Sequence, residues 1–158
     1  MNSFGRIVAI AVFIAFAIGS IYGCAEKPIT FTEPGVHIWK LNILYDDGFE
    51  IKDQALVLKP SEREKDVFNV TATIEVESES GIWGKFRAFW EWKGEIRNGA
   101  MMCNIEGNWI GLSPPQEGST PVRGTAKGTF SKRRASGTFR NAGDAGLRYG
   151  KWTAERIS

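Results

Sequence analysis

The stretch at residues 82–112, IWGKFRAFWEWKGEIRNGAMMCNIEGNWIGL, decides the fold. Asn98-Gly99 is the strongest short hairpin signal in the chain, because both residue types accept the positive φ that a type I′ turn requires. A two-residue turn puts Arg97 opposite Ala100, and the register then runs outward without further choice. Ile96 faces Met101, Gly94 faces Cys103, Trp92 faces Ile105, Trp90 faces Gly107, Ala88 faces Trp109 and Phe86 faces Gly111. Large residues repeatedly meet small ones, as expected where a sheet curves strongly and a ring covers a bare stretch of backbone. Lys85, Arg87, Glu91, Lys93, Glu95 and Arg97 fall on the other face, which is therefore the solvent side.

Period-two alternation continues on both sides of this hairpin, and helical periodicity is absent. Phe68, Val70, Ala72, Ile74 and Val76 alternate with Asn69, Thr71, Thr73, Glu75 and Glu77. Upstream, a strand over 36–45 puts Trp39, Leu41, Ile43 and Tyr45 on one face, and Asp46-Asp47-Gly48 supplies a turn with a bulge. Pairing Tyr45 with Phe49 predicts Ile43 opposite Ile51, Trp39 opposite Ala55 and His37 opposite Val57. Residues 60–66 form a charged connection, with one helical turn as an option. Downstream, a Pro-rich loop over 113–121 leads to Val122, Gly124, Ala126, Gly128 and Phe130 on an inner face, continued by Ala135, Gly137 and Phe139. The strand over 148–157 adds Gly150, Trp152 and Ala154. Strand starts at Val36, Phe49, Val67, Ile82, Ala100, Val122, Arg134 and Arg148 predict an all-β domain of about eight antiparallel strands. An up-and-down meander barrel is favoured because closure removes exposed edges, and a two-sheet β-sandwich is the alternative. In length and meander the pattern resembles small calycin-type barrels, the lipocalins and avidins, without their binding motifs.

Residues 1–24, MNSFGRIVAIAVFIAFAIGSIYGC, place one cation, Arg6, before an apolar run from Ile7 to Ile18. That is a signal-peptide pattern, or an apolar helical anchor of marginal length. Its end, Ile21-Tyr22-Gly23-Cys24, resembles the lipobox of bacterial lipoproteins, with Tyr22 standing where the family carries a small or branched residue. The resemblance implies that residues 1–23 are a signal peptide, that Cys24 is lipidated with acyl chains such as palmitate, and that the chain is tied to a membrane. Ala25 after the cysteine implies outer-membrane sorting if the organism has one. An uncleaved single-span anchor and an ordinary secretory signal are the alternatives, and all three export the remainder. The expected organisation is a signal or anchor over 1–23, a polar tether over 24–35 and a β-barrel domain over 36–158.

The 158 residues carry 20 Lys plus Arg against 18 Asp plus Glu, a balance that fits neither a polybasic nor an acidic disordered chain. The charge is polarised along the chain: residues 24–80 hold 6 basic and 12 acidic side chains, and residues 81–158 hold 13 basic and 6 acidic. Arg123, Lys127, Arg134 and Arg140 fall on outer strand positions, a face suited to an anionic envelope polymer, lipid headgroups or an acidic protein partner. Nucleic acid is not an expected partner of an exported chain. Catalytic motifs are absent, no cofactor or metal site is expected, and His37, the single histidine, sits near a strand start. Cys103 reads as a small buried hydrophobe. Trp39, Trp90, Trp92, Trp109 and Trp152 all fall on inner faces, either lining a ligand pocket or filling the barrel. These observations favour a non-catalytic, lipid-anchored envelope domain that binds a partner or small ligand. An assembly subunit held by an uncleaved membrane helix is the second reading, and an enzyme with a loop-built site is the third.

Overall fold

Eight antiparallel strands close into a single barrel in a computed structural model that describes residues 35–80, 84–114, 117–143 and 146–157. The strands run in order as β1 (His37–Tyr45), β2 (Glu50–Pro60), β3 (Val67–Ser80), β4 (Gly84–Arg97), β5 (Ala100–Gly111), β6 (Gly118–Phe130), β7 (Arg134–Gly143) and β8 (Gly146–Arg156). Each strand pairs with its neighbours in sequence, and β1 pairs with β8 from Trp39↔Arg156 to Tyr45↔Gly150. That last ladder is what separates a barrel from a sandwich: no strand is left with an unpaired edge. The expected segments over 1–23 and 24–35, and the helix of the first, lie outside the described residues except at Gly35.

The central hairpin keeps the register dictated by its turn. Asn98 and Gly99 adopt φ of 51° and 77°, and β4 pairs with β5 from Phe86↔Gly111 through Trp90↔Gly107 to Arg97↔Ala100. The β6–β7 hairpin likewise sets Gly128 opposite Gly137, Ala126 opposite Phe139 and Phe130 opposite Ala135. Trp152 follows in the same row, opposite Gly137, so its indole lies over two bare glycines and donates from Nε1 to the Lys127 carbonyl at 3.2 Å.

Four expectations need correction. The β1–β2 register holds only near the turn, at Ile43↔Ile51; beyond it Trp39 faces Leu56, not Ala55, and His37 faces Leu58, not Val57. A β-bulge causes the shift, since Asn42 spans both Lys52 and Asp53. Asp53 takes φ of 62°, its N–H donates to Asn42 Oδ1 at 3.0 Å, and its carboxylate meets Lys40 Nζ at 2.6 Å. The extra residue reverses the parity of the strand and turns Leu56 and Leu58 inward, each contributing about 2 kcal/mol of burial. Second, β6 starts at Gly118 rather than Val122: Pro121 is inside the strand, close to its start and opposite Asn108. Third, β8 begins at Gly146 rather than Arg148. Fourth, the 61–66 connection is a turn without a helix, in which Ser61 Oγ accepts from the Arg63 and Glu64 N–H groups at 3.3 Å and Asp66 takes φ of 63°.

A chain of aromatic rings in mutual contact occupies the interior. Trp39 meets Phe130 edge-on at 4.9 Å, Phe130 meets Trp152 at 5.9 Å, and Trp152 meets Trp92 at 6.1 Å. From Trp92 the series passes through Phe139 and Tyr45 to Phe49 and Phe86, and ends on Trp109 at the far mouth. Around it Trp39, Leu41, Leu56, Leu58 and Ile74 retain 0% exposure, leaving no water-sized void against them.

Candidate functional site

The interior, the two barrel ends and the outer wall each present chemistry, and the antiparallel meander fixes where. Strand starts and stops alternate, so β1 begins and β8 ends at the same end. The 61–66, 98–99 and 131–133 connections lie there too, and the 46–49 turn lies at the other.

Inside, the five tryptophans are not brought together as one lining. Trp39, Trp90, Trp92 and Trp152 are buried, and Trp109 is half-buried at the far mouth, stacked on Phe86 at 5.6 Å. Trp92 and Trp152 touch directly, while Trp39 reaches them through Phe130. Trp39, Trp92, Trp109 and Trp152 each contact another aromatic ring, and Trp90 Nε1 is buried without a hydrogen-bond partner among the described residues. Cys103 is buried opposite Gly94 and Ala126, and burial alone pushes its thiol up to about 12. The thiolate is the nucleophile, so this sulfur is chemically silent in the folded chain. Iodoacetamide at pH 8 is expected to leave Cys103 unmodified until denaturant unfolds the barrel, as read by intact mass. Because the folded thiol titrates later than the unfolded one, its contribution to stability is complete below pH 9 and declines between pH 9 and 12.

Near the end where β1 begins, His37 is 3% exposed. The Arg156 guanidinium, which can only donate, lies 3.1 Å from His37 Nδ1, so that nitrogen is the acceptor. The ring also packs near Phe68, at 6.2 Å. The arrangement holds the end of β8 against the start of β1. An open depression near this end is lined by Thr129, Ser131, Arg134, Ser136, Thr153 and Glu155, with Arg134 and Glu155 paired at 3.6 Å. At the opposite end Asn141 Nδ2 donates to the buried Tyr45 hydroxyl at 3.3 Å, and Arg148 lies 4.2 Å over the Tyr45 ring while pairing with Asp47. Burial raises the Tyr45 phenol despite the opposing Asn141 hydrogen bond and Arg148 charge. These polar contacts fasten the far ends of β1, β7 and β8. Sequence reading missed them because nothing local links residues about a hundred positions apart. Among the described residues no three His, Cys, Asp or Glu side chains gather as a metal site.

The outer wall divides by charge pairing. On β1–β4, Lys40 pairs with Asp53, Lys52 with Glu50, Lys85 and Arg87 with Glu77, Lys93 with Glu91, and Arg97 with Glu64 and Glu95. Hydrogen bonds from Arg97 hold the Glu64 carboxyl below its usual range, and those from Lys85 and Arg87 do the same for Glu77. The β6–β8 wall differs. Arg123, Lys127, Arg140 and Lys151 are exposed, and none makes an ion pair among the described residues. Register places them in one lattice: Lys127, Thr138 and Lys151 share a row, as do Thr125, Arg140 and Tyr149, and Arg123 sits opposite Glu106 on β5. At about 4.8 Å between strands and 3.3 Å per residue along them, Lys127 and Lys151 stand about 10 Å apart, and Arg123 and Lys127 about 13 Å apart. Of the four cations singled out from the sequence, Arg123, Lys127 and Arg140 fall in this lattice, and Arg134 lies at its edge, paired with Glu155. Lys151 completes it.

No family model, curated protein or solved structure matches the chain.

Proposed function

We propose that this chain is a non-catalytic cell-envelope barrel, exported by residues 1–23, anchored through lipid on Cys24, and docking an anionic envelope polymer on the outer wall of β6–β8. Outer-membrane placement follows from Ala25 where the organism has such a membrane. The observation that carries the docking surface is the contrast in pairing: the cations of β4 are each matched to a carboxylate, whereas Arg123, Lys127, Arg140 and Lys151 share a wall with few acids. Gathering like charge on one sheet face is unfavourable without a counter-charge, so the lattice gains stability when an anion covers it. Hydroxyls from Thr125, Thr129, Ser136, Thr138 and Thr153 separate the cations. Exposed Tyr149 stands among these cations and Met102 and Leu44 end the Lys127–Lys151 row, but hydroxyls occupy the positions between them, and a hydrated polyanion needs only charge and hydrogen-bond groups. The packed rings argue against a ligand inside the barrel and leave the wall as the binding surface.

Reversing Arg123, Lys127 and Arg140 together to Glu is expected to leave the thermal midpoint within a few degrees of wild type, since all three side chains are exposed. Binding to immobilised dextran sulfate should weaken at least about tenfold, and wild-type binding should fade between low and physiological salt. Wild-type binding that is absent at low salt, or unchanged by the triple reversal, overturns the assignment. Retention of an acidic protein but no polyanion would replace the polymer with a protein partner.

A further inference from the structure

Closure and the β1–β2 bulge together create an outward row that neither element shows alone. Ile38 lies opposite Val57 on one side. On the other side Ile157 donates its N–H to the Ile38 carbonyl at 3.0 Å, extending the β1–β8 ladder by one pair. Val36 projects from the same face two residues away. Val36, Ile38 and Ile157 are 53%, 41% and 66% exposed, so three branched aliphatic side chains form a contiguous apolar patch in water. Cations border it on both flanks. Lys59 follows Val57 on the outer face of β2, and the Lys132-Arg133 turn adjoins Ile157, because the Arg156 N–H donates to the Arg133 carbonyl at 3.0 Å. The acidic 61–66 connection is drawn the other way, with Glu64 paired to Arg97 at the end of β4.

The location of the patch selects its occupant. Residues 1–34 enter the fold immediately before Val36, and their sequence contains the apolar run Ile7–Ile18 and the lipobox-like Cys24. The 11 positions from Cys24 to Pro34 span less than about 40 Å even when fully extended, so a chain held at Cys24 keeps this end of the barrel close to the bilayer. Aliphatic side chains flanked by lysine and arginine are the composition that seats at an anionic lipid interface, the apolar groups entering the headgroup boundary and the cations meeting lipid phosphates.

We propose that the patch formed by Val36, Ile38, Val57 and Ile157, flanked by Lys59 and Lys132-Arg133, rests on an anionic lipid surface and sets the end of the barrel where β1 begins and β8 ends against the membrane. This rests on the anchoring reading above and adds an orientation to it. Docking through this end leaves the β6–β8 wall at the side of the barrel, open to a polymer running along the membrane.

The test uses the full chain in vesicles. Cys103 is buried and its thiol is silent, so Ile157→Cys accepts an environment-sensitive dye selectively once Cys24 carries lipid. Leu147→Cys, ten residues back on β8 and about 33 Å away along the strand, is the control. In vesicles of phosphatidylcholine and phosphatidylglycerol, doxyl-labelled lipid is expected to quench the dye at 157 at least about twofold and leave that at 147 unchanged. Adding Ile38→Asp and Lys132→Glu should abolish the quenching while the chain still floats with the vesicles. A chain that floats but shows equal quenching at both positions overturns the orientation alone. A chain that fails to float overturns the anchoring reading and the orientation with it. Protection of position 157 that depends on protein concentration and appears equally in detergent would assign the patch to a second copy, against the proposal. The same readout from Val36→Cys guards against a local effect at the chain end.

Discussion

Replacing Gly107 by valine is expected to abolish the native barrel or to destabilise it by about 4 kcal/mol or more, a large share of the 5–15 kcal/mol that holds a domain of this size together. The sequence suggests overpacking against the Trp90 ring, because Trp90 faces Gly107. The structure places the conflict in the backbone. A Cβ at position 107 would run into the Phe89 carbonyl oxygen and come within 2.8 Å of the Trp90 Cα, atoms that move only if β4 and β5 separate. The two origins make different predictions for alanine. Overpacking of a ring would leave Gly107→Ala nearly neutral, since one methyl can be absorbed by a rotamer. Backbone approach makes even alanine costly, by about 2–3 kcal/mol. Urea unfolding followed by tryptophan fluorescence separates them: an alanine variant within about 0.5 kcal/mol of wild type would show that the strands can part cheaply there.

The same distinction explains how much of the fold the chain spells out locally. Where a turn determines its own register, the reading is right to the residue: Asn98-Gly99 sets all of β4–β5, and the alternation around glycines 128 and 137 puts both on the inner face. Where register depends on a residue that breaks alternation, the reading slips. Ile51 and Leu56 are five positions apart, an odd interval that no regular strand can place on one face, and both are buried. That interval was the sequence signal for the Asp53 bulge. Ala55 and Val57 offer a passable apolar face of their own and mask it.

Contacts that depend on closure are less legible still. Ile38 pairs with Ile157 only because β8 returns beside β1, and with Val57 only because the bulge shifts β2, so the outward aliphatic row follows from two tertiary facts. The basic wall stands between these cases. Arg123, Lys127 and Arg140 are outward by simple parity, and the facing of Phe130 with Ala135 puts their strands side by side. That the wall has few acids is visible in composition, but which cations elsewhere are neutralised is not. Arg97, for example, meets Glu64, a partner in a connection 33 residues away.

Changing Cys24 to alanine is expected to abolish lipid incorporation altogether and to leave an unprocessed precursor, because the sulfur that would carry the lipid is gone. The effect is all-or-none in a way that no wall substitution is. Each buried CH₂ contributes about 0.8 kcal/mol of membrane affinity, so acyl chains at one cysteine dominate attachment, whereas a surface cation adds about 1 kcal/mol. If the lipobox-like Ile21-Tyr22-Gly23-Cys24 is processed, wild-type chain labelled with palmitate in cells should float with membranes, and its mass should match residues 24–158 plus acyl groups. The alanine variant should carry no label and should retain residues 1–23. Should that precursor still float, its apolar run from Ile7 to Ile18 is holding it, and trypsin release from the membrane will tell a tether from a span. An intact mature chain with an unmodified Cys24 thiol would end the lipoprotein reading. The barrel would then need its aliphatic seam and basic wall to reach any membrane, and those alone give the weak, salt-sensitive attachment of a peripheral protein.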